Sequence, residues 1–584
     1  MKMCLCIATK KYKYLTWKLF LVWLIVLSLV QTVYILELQR YVERKKCHIE
    51  QLDINIERSS NISGLGNQLD YRKRKTTIDN HVPKEMIRPY GPGEMGNGVR
   101  INLTLLSPKD KKIYDEGIKK HRMNLYVSDL ISVHRTLDPN IVDPRCKSIT
   151  YNENLDPCTV IIPFRDEAWS LLIRTVHSVL DRTPHTILEE IVLVDDGSLE
   201  DDLKYRLDLY VSYLPKVRIM RLHKSLGKMA ACQKAVDLVK TTHFALLDSH
   251  SEVYEGWLQP LLQRLTENPK LLVTPMVGNI YSSTLEYFYY YPKDLYKDFK
   301  AMTFDFFLYQ QWSPFKKEYI KTLKPTEPIR IPGHQGNAFA VNTNFFMQLG
   351  GFDPGMKVWG AIQMELMFKY VMCGGDMESL PCSHVGHLYR TSMKWSKEIA
   401  EFKTSNQYRV AEVWMDEYKH LLFERDGNYT FQTGDVSERK KIRKRNKCKS
   451  FKYFLDHIQE IVHFYIPDNL KASGAIIRPG QKTCLSIHRK IVLDKCYWRG
   501  NEQFWEWSAD KEIRHGVDCL VSKGKDGVGN EKCSFNKIVQ WEYRQDNQIQ
   551  HKVSGLCLTV YNNKLKLSEC TGSGDQIWIW NRKK

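Results

Sequence analysis

Apart from one stretch near its start, the 584-residue sequence lacks any apolar run long enough to cross a bilayer, which excludes a polytopic helical membrane protein. Acidic residues are the scarcer sign, 67 Asp and Glu against 86 Lys and Arg. That balance admits nucleic acid, anionic lipid or an anionic small substrate as partner, and the excess is scattered along the chain. Between residues 37 and 102 apolar periodicity is missing; the stretch is polar, rich in Arg, Lys, Asn and Gly, and reads as a tether or stem. No small-residue cleavage site follows the apolar run, so a cleaved signal peptide is disfavoured and an uncleaved anchor expected.

The run itself is Leu19-Phe-Leu-Val-Trp-Leu-Ile-Val-Leu-Ser-Leu-Val30, continued weakly through Val33-Tyr-Ile-Leu36. Lys10, Lys11, Lys13 and Lys18 precede it, and Trp17 and Tyr34 lie near its ends. The expectation is a type II anchor with a short basic cytoplasmic tail and the bulk of the chain in the lumen, which argues against a nucleic-acid partner. Fifteen cysteines, those beyond Cys146 spaced through apparent folded domains, fit an oxidising compartment. Asn61, Asn102 and Asn428 begin candidate glycosylation sequons.

Past Asp110 an amphipathic helical pattern runs through Ile131, and then strands alternate with helices. Thr159-Val-Ile-Ile-Pro-Phe164 is a strand, Trp169 to Leu180 a helix, and Ile191-Val-Leu-Val194 a second strand closing on Asp195-Asp196. Val217-Arg-Ile-Met220, a helix from Met229 to Val239 and the strand Phe244 to Leu247 follow. Such alternation predicts an α/β domain with a parallel sheet and a ligand at the carboxyl ends of its strands. Asp248 and His250 lie at that edge. Residues two apart in extended chain share a side, so the carboxylate and imidazole converge on one ion. Oxygen plus nitrogen suits a borderline divalent metal such as manganese holding a diphosphate.

Ser128-Asp-x-Ile131, Arg165-Asp-Glu-Ala-Trp-Ser170, Val194-Asp-Asp-x-Ser198, Asp248-Ser-His-x-Glu252, Cys382-Ser-His-Val-Gly-His387 and Ala411-Glu-Val-Trp-Met-Asp-Glu-Tyr-Lys419 occur in the order in which similar motifs stand in the polypeptide N-acetylgalactosaminyltransferases. The chain resembles that family, lumenal Golgi enzymes that initiate mucin-type O-glycosylation, from about Met123 onward. The resemblance implies a GT-A-type nucleotide-sugar domain using Mn2+ and UDP-GalNAc, with Ser/Thr-containing proteins as acceptors. It implies Asp248, His250 and His387 as metal ligands and places Trp359 and Glu365 with Asp248 and His250 among the catalytic residues. Asp196 would face the uridine, and Lys228, Ser249, Trp359 and Arg390 would line the donor site. It further implies retention of configuration, with the departing phosphate taking the acceptor proton on the same face. Disulfides Cys146–Cys382 and Cys373–Cys448 follow from the same resemblance.

Several positions depart from the pattern. Where the family reads Trp-Gly-Gly-Glu-Asn, this chain reads Trp359-Gly-Ala-Ile-Gln363, so Ile362 replaces a carboxylate directed at sugar hydroxyls. Gln335-Gly336-Asn337 stands for Ala-Gly-Gly, and Lys228-Met-Ala-Ala231 carries none of the usual arginines.

Beyond residue 471, Cys-Leu recurs at Cys484, Cys519 and Cys557, each followed by a second cysteine at Cys496, Cys533 and Cys570 and then by Gln503-Phe-Trp505, Gln540-Trp541 and Gln576-Ile-Trp578. This threefold repeat signals a symmetric β architecture and resembles the ricin-type β-trefoil, with three within-repeat disulfides as the natural pairing. Ser486, Val521 and Thr559 stand where sugar-binding repeats carry Asp, and Asn501 is the best-matching polar partner in the first repeat. An architectural or protein-contacting trefoil is the reading that follows. The expected organisation is a tail over 1–18, an anchor over 19–36, a stem over 37–105, a GT-A-like domain over 106–465 and a trefoil over 471–584. Two functions remain in play: transfer of GalNAc to Ser or Thr, and a metal-retaining family member acting as a Golgi binding or scaffold protein. Cys47 could form an intermolecular disulfide in the stem, and Cys158 and Cys232 have no assigned partner.

Overall fold

A computed structural model describes residues 91–289, 300–390, 397–427, 432–498, 500–524, 527–533 and 539–581. The apolar run at 19–36, most of the stem, Asn61, Asn428, Cys4, Cys6 and Cys47 lie outside the described residues. Among those described, no helix is long and apolar enough to cross a membrane. Asn102 is exposed, and its Oδ1 accepts from the Thr104 amide at 3.1 Å and hydroxyl at 2.8 Å.

The apolar run Cys158–Phe164 forms β1, buried at every position because neighbours flank it on both edges and helices cover both faces. It pairs in parallel with β2, Leu188–Asp195, and with β4, His243–Leu247, while β3, Val217–Arg221, extends the sheet beyond β2. Further strands are β5, Ser251–Val253, β6, Leu271–Tyr281, β7, Tyr287–Phe288, β8, Lys300–Phe304, β9, Gln310–Pro314, β10, Ile329–Arg330, β11, Ala338–Asn342, and β12, Asp376–Tyr389. The central ten-stranded sheet runs β10-β12-β6-β11-β4-β1-β2-β3, with β5 added to β12 and β7 to β6.

The expected parallel pairing holds among β1 to β4, and beyond them parallel and antiparallel pairs mix. β11 lies antiparallel to both β4 and β6, making the sheet mixed. The five residues of β11 are all buried, and its short apolar run Ala338–Val341 carries no mark of its direction. The predicted helical stretch from Asp110 is also divided. Arg122 adopts a left-handed conformation, φ 55°, after helix Pro108–His121, and Asn124 caps helix Leu125–Leu130 by accepting from the Val127 amide at 3.0 Å.

Alternation along the strands feeds two cores. Val160, Ile162, Ala245 and Leu247 pack with Leu172, Val176 and Leu261 of helices Trp169–Arg182 and Leu258–Glu267 on one face. Ile161, Phe244 and Leu246 pack with Met229, Leu366 and Phe368 of helices Lys228–Val236 and Ile362–Met372 on the other. Both sides of β4 are therefore dry from Phe244 to Leu247, and the polar residues Asp248, Ser249 and His250 follow at its carboxyl end.

The carboxyl-terminal domain is a β-trefoil whose three repeats use one device. The indole N–H groups of Trp505, Trp541 and Trp578 donate to the carbonyls of Leu485, Leu520 and Leu558 at 2.8, 2.7 and 2.9 Å, and all six side chains share one core. Disulfides Cys484–Cys496, Cys519–Cys533 and Cys557–Cys570 close each repeat, and Cys146–Cys382 and Cys373–Cys448 brace the α/β domain. Cys158 and Cys232 are buried free thiols, and burial pushes the Cys232 thiol up to about 12, which keeps it unreactive. The two domains meet through a buried ion pair between Arg425 and Glu506, with Nε to Oε1 at 3.0 Å, and through Arg514 stacked 3.5 Å over the Tyr465 ring.

Candidate active site

β4 ends at Leu247, and Asp248, Ser249 and His250 follow before β5 begins. The Asp248 amide donates to the Asn337 carbonyl at 2.9 Å, and the Leu388 amide donates to the His250 carbonyl at 3.1 Å. These bonds stitch the turn to β11 on one side and to β12 on the other. β12 runs parallel to β6 with an irregularity between Leu380 and His384, and it delivers His387 to the same edge. Ligand atoms of Asp248, His250 and His387 all lie within 4.8 Å of one another.

The neighbours of this cluster orient it. Asp248 Oδ2 faces His387 Nε2 at 3.2 Å, and Oδ1 accepts from the Lys228 ammonium. Burial pushes the Asp248 carboxyl up, but Lys228 and the His387 contact outweigh it and hold the group well below the usual carboxylate range. Burial pulls His387 down to about 4, so its imidazole is neutral near pH 7, as a metal ligand requires.

Glu167 is a member of this site to which the sequence alone assigned no role. Its Oε2 accepts from the Ser249 hydroxyl at 2.8 Å and meets His250 Nδ1 at 2.9 Å, while Arg390 binds both carboxylate oxygens. Burial acts to raise this carboxyl; the Arg390 guanidinium and His250 overcome it and keep Glu167 well below the ordinary range. With Nδ1 engaged, His250 presents Nε2, the carboxylate–histidine arrangement common behind metal ligands. The only signal in the sequence was its position in Arg165-Asp-Glu167, three residues beyond a strand end.

The other predicted residues have definite places. Asp196 accepts from the Ser225 hydroxyl at 2.7 Å and from the Leu226 and Gly227 amides at 2.6 and 3.0 Å, so its carboxylate clamps the loop entering helix Lys228–Val236. Arg390 sits on Glu167, and Ser249 is buried beneath it. Trp359 is partly exposed; its carbonyl accepts from the Asn406 amide side chain at 3.1 Å, and Lys403 lies 5.9 Å from its ring. Its neighbour Val358 packs on Gly227, whose φ of 90° and the 2.6 Å left between an added Cβ and the Val358 nitrogen admit only glycine.

Glu365 is not brought to the Asp248 cluster by any hydrogen bond. Its oxygens pair with Lys369 and Arg439, each at 3.0 Å, in a setting that leaves the residue 2% exposed. Ile362 joins the apolar core. Around Gly336, Gln363 donates to the Gln335 carbonyl at 3.1 Å and Asn337 donates to the Tyr389 hydroxyl at 3.1 Å, leaving Asn337 Oδ1 buried without a hydrogen-bond partner among the described residues. In the trefoil, Ser486 is fully buried and accepts from Gln503 at 2.9 Å, Val521 is buried, and Thr559 accepts from Gln576 at 3.1 Å.

A mixed α/β domain with a carboxylate and two imidazoles at its strand ends, joined to a trefoil, defines a glycosyltransferase with a lectin-type module. Residues 159–345 match the family model Glycosyl transferase family 2, and residues 472–580 match the Ricin-type beta-trefoil lectin domain. Polypeptide N-acetylgalactosaminyltransferase 5 of Caenorhabditis elegans is 38% identical over 511 residues, covering 83% of this chain and 80% of that one. Polypeptide N-acetylgalactosaminyltransferase 12 of Mus musculus is 34% identical over 562 residues, covering 89% and 95%. The crystal structure of GalNAc-T7 with UDP, GalNAc and Mn2+ superposes with a TM-score of 0.71 at 30% identity, over 87% of this chain and 95% of that one. The chain belongs to the polypeptide N-acetylgalactosaminyltransferase family.

Proposed function

We propose that this protein transfers GalNAc from UDP-GalNAc to Ser or Thr hydroxyls of protein acceptors, with retention of configuration and dependence on Mn2+, as a type II protein of the Golgi membrane. The observation that carries this reading is the convergence of Asp248, His250 and His387 at the strand ends. One carboxylate oxygen and two imidazole nitrogens form a donor set suited to a borderline divalent ion. When bound, Mn2+ would neutralise charge developing on the departing diphosphate.

The chain's own groups do the remaining work. Glu167 fixes the orientation of His250, and Lys228 and Arg390 add positive charge where a diphosphate would lie. Among the described residues, the two carboxylates of the cluster are already committed, Asp248 to Lys228 and His387 and Glu167 to Arg390, Ser249 and His250. Neither is free to act as a general base, which supports proton transfer from the acceptor to the departing phosphate on the same face.

A second reading, a family member that holds metal and nucleotide without transferring sugar, draws on Ile362 in the apolar core and on Glu365 tied to Lys369 and Arg439. The detergent-solubilised full chain, given UDP-GalNAc, Mn2+ and a Ser/Thr-rich peptide panel, separates the two. The expected result is a GalNAc mass shift on peptide, lowered at least about 10³-fold by Asp248→Ala. Manganese-dependent UDP binding without any mass shift would replace the first reading by the second.

A further inference from the structure

We propose that Lys228 is an internal rival of the metal for Asp248, and that it moves from this carboxylate to the donor diphosphate when the divalent ion enters. The inference rests on the metal reading of the Asp248 cluster given above. The ammonium of Lys228 lies on Asp248 Oδ1 and 3.2 Å from the Gly336 carbonyl, so one oxygen of the only carboxylate in the ligand set is already matched by a cation.

The placement of Lys228 is built rather than incidental. It is the first residue of helix Lys228–Val236, where a positive side chain opposes the helix dipole, so the contact with Asp248 and not helix stability accounts for a lysine there. The loop before it is held by Asp196 at two backbone amides, Leu226 and Gly227, and through the Ser225 hydroxyl. Gly227 is wedged against the Val358 backbone with no room for a side chain. The Cα of Lys228 is therefore anchored while its four-carbon stem leaves Nζ free to swing.

Two cations on one part-buried carboxylate repel each other, so the ion gains Asp248 only as the ammonium leaves it. A released ammonium next to bound nucleotide has the diphosphate as its anionic partner. Nucleotide that holds Lys228 away from Asp248 then strengthens metal binding, and by linkage the metal strengthens nucleotide binding by the same factor. Asp196, through its grip on the loop, positions both events.

Mn2+ binding to the full chain, titrated by electron paramagnetic resonance with and without UDP, tests this without any turnover. Lys228→Met should bind Mn2+ about tenfold more tightly in the absence of nucleotide and show a smaller gain on adding UDP. Lys228→Arg, which keeps the charge, should stay near the unaltered protein, and Asp248→Asn should bind poorly under both conditions. Lys228→Gln repeats the measurement should the methionine variant fail to fold. Unchanged or weaker Mn2+ binding by the neutral variants, with the unaltered protein binding normally, overturns the role of Lys228 and leaves the metal site standing. No Mn2+ binding by any form, with or without UDP, removes the metal reading and this proposal with it.

Discussion

In the α/β domain, buried and part-buried polar side chains converge on one point: Asp248, His250 and His387 face each other, with Glu167 and Lys228 behind and beside them. In the trefoil, buried polar side chains are turned back on their own scaffold. Gln503 donates to Ser486 and to the Lys495 carbonyl, and Gln576 donates to Thr559, Ser568 and the Glu569 carbonyl. A polar group whose capacity is spent within its own scaffold stabilises the fold, and a cluster of potential ligands facing each other can hold a cation. Both domains are recognisable by motif, but the polar groups of one face each other while those of the other face their own scaffold.

The strongest way to break this contrast is at the seam between the domains. Arg425→Ala leaves Glu506 buried without its partner and should cost about 3–5 kcal/mol, splitting a single calorimetric transition into two. A joint, unsplit loss would mean that the domains unfold as one unit.

Acid should separate them next. Burial lowers His384 from 6.5 to about 4, and His177 and His334 to about 4 and about 3. Between about 4 and 6.5 the unfolded chain binds a proton at His384 that the folded chain refuses. Stability therefore rises with pH across that window and is lost as pH falls through it, on the order of 3 kcal/mol for His384 alone. All three imidazoles belong to the α/β domain, so its amides should exchange before those of the disulfide-closed trefoil, and His384→Gln should flatten the slope.

A smaller effect sharpens the comparison inside the site. Glu167→Gln weakens the hold on His250 and should reduce Mn2+ affinity about 10–100-fold while leaving the melting of the trefoil unchanged. The smallest effect is in the trefoil itself. Ser486→Ala removes one of the two acceptors of Gln503 and should lower trefoil stability by about 1 kcal/mol, read by denaturant unfolding, with no change in Mn2+ binding.

Much of this arrangement is legible along the chain. The apolar runs that became β1, β2 and β4 end where their polar residues begin, so the edge carrying Asp196 and Asp248 follows from period and punctuation alone. The trefoil follows from its repeat, since each Cys-Leu strand and Gln-x-Trp segment restates one unit. Short-range order of this kind is written locally because backbone hydrogen bonding and side-chain alternation act over a few residues.

Tertiary structure alone decided the rest. The antiparallel insertion of β11 depends on pairing with strands far away in sequence, and its short apolar run carries no direction. Glu167 serves His250 across 83 positions, Lys228 reaches Asp248 across 20, and Glu365 is drawn into a pair with Arg439 across 74. A carboxylate's role depends on which cation lies within a few ångströms of it. That neighbour is chosen by the packing of sheet and helices, whereas the sequence supplies only the charge.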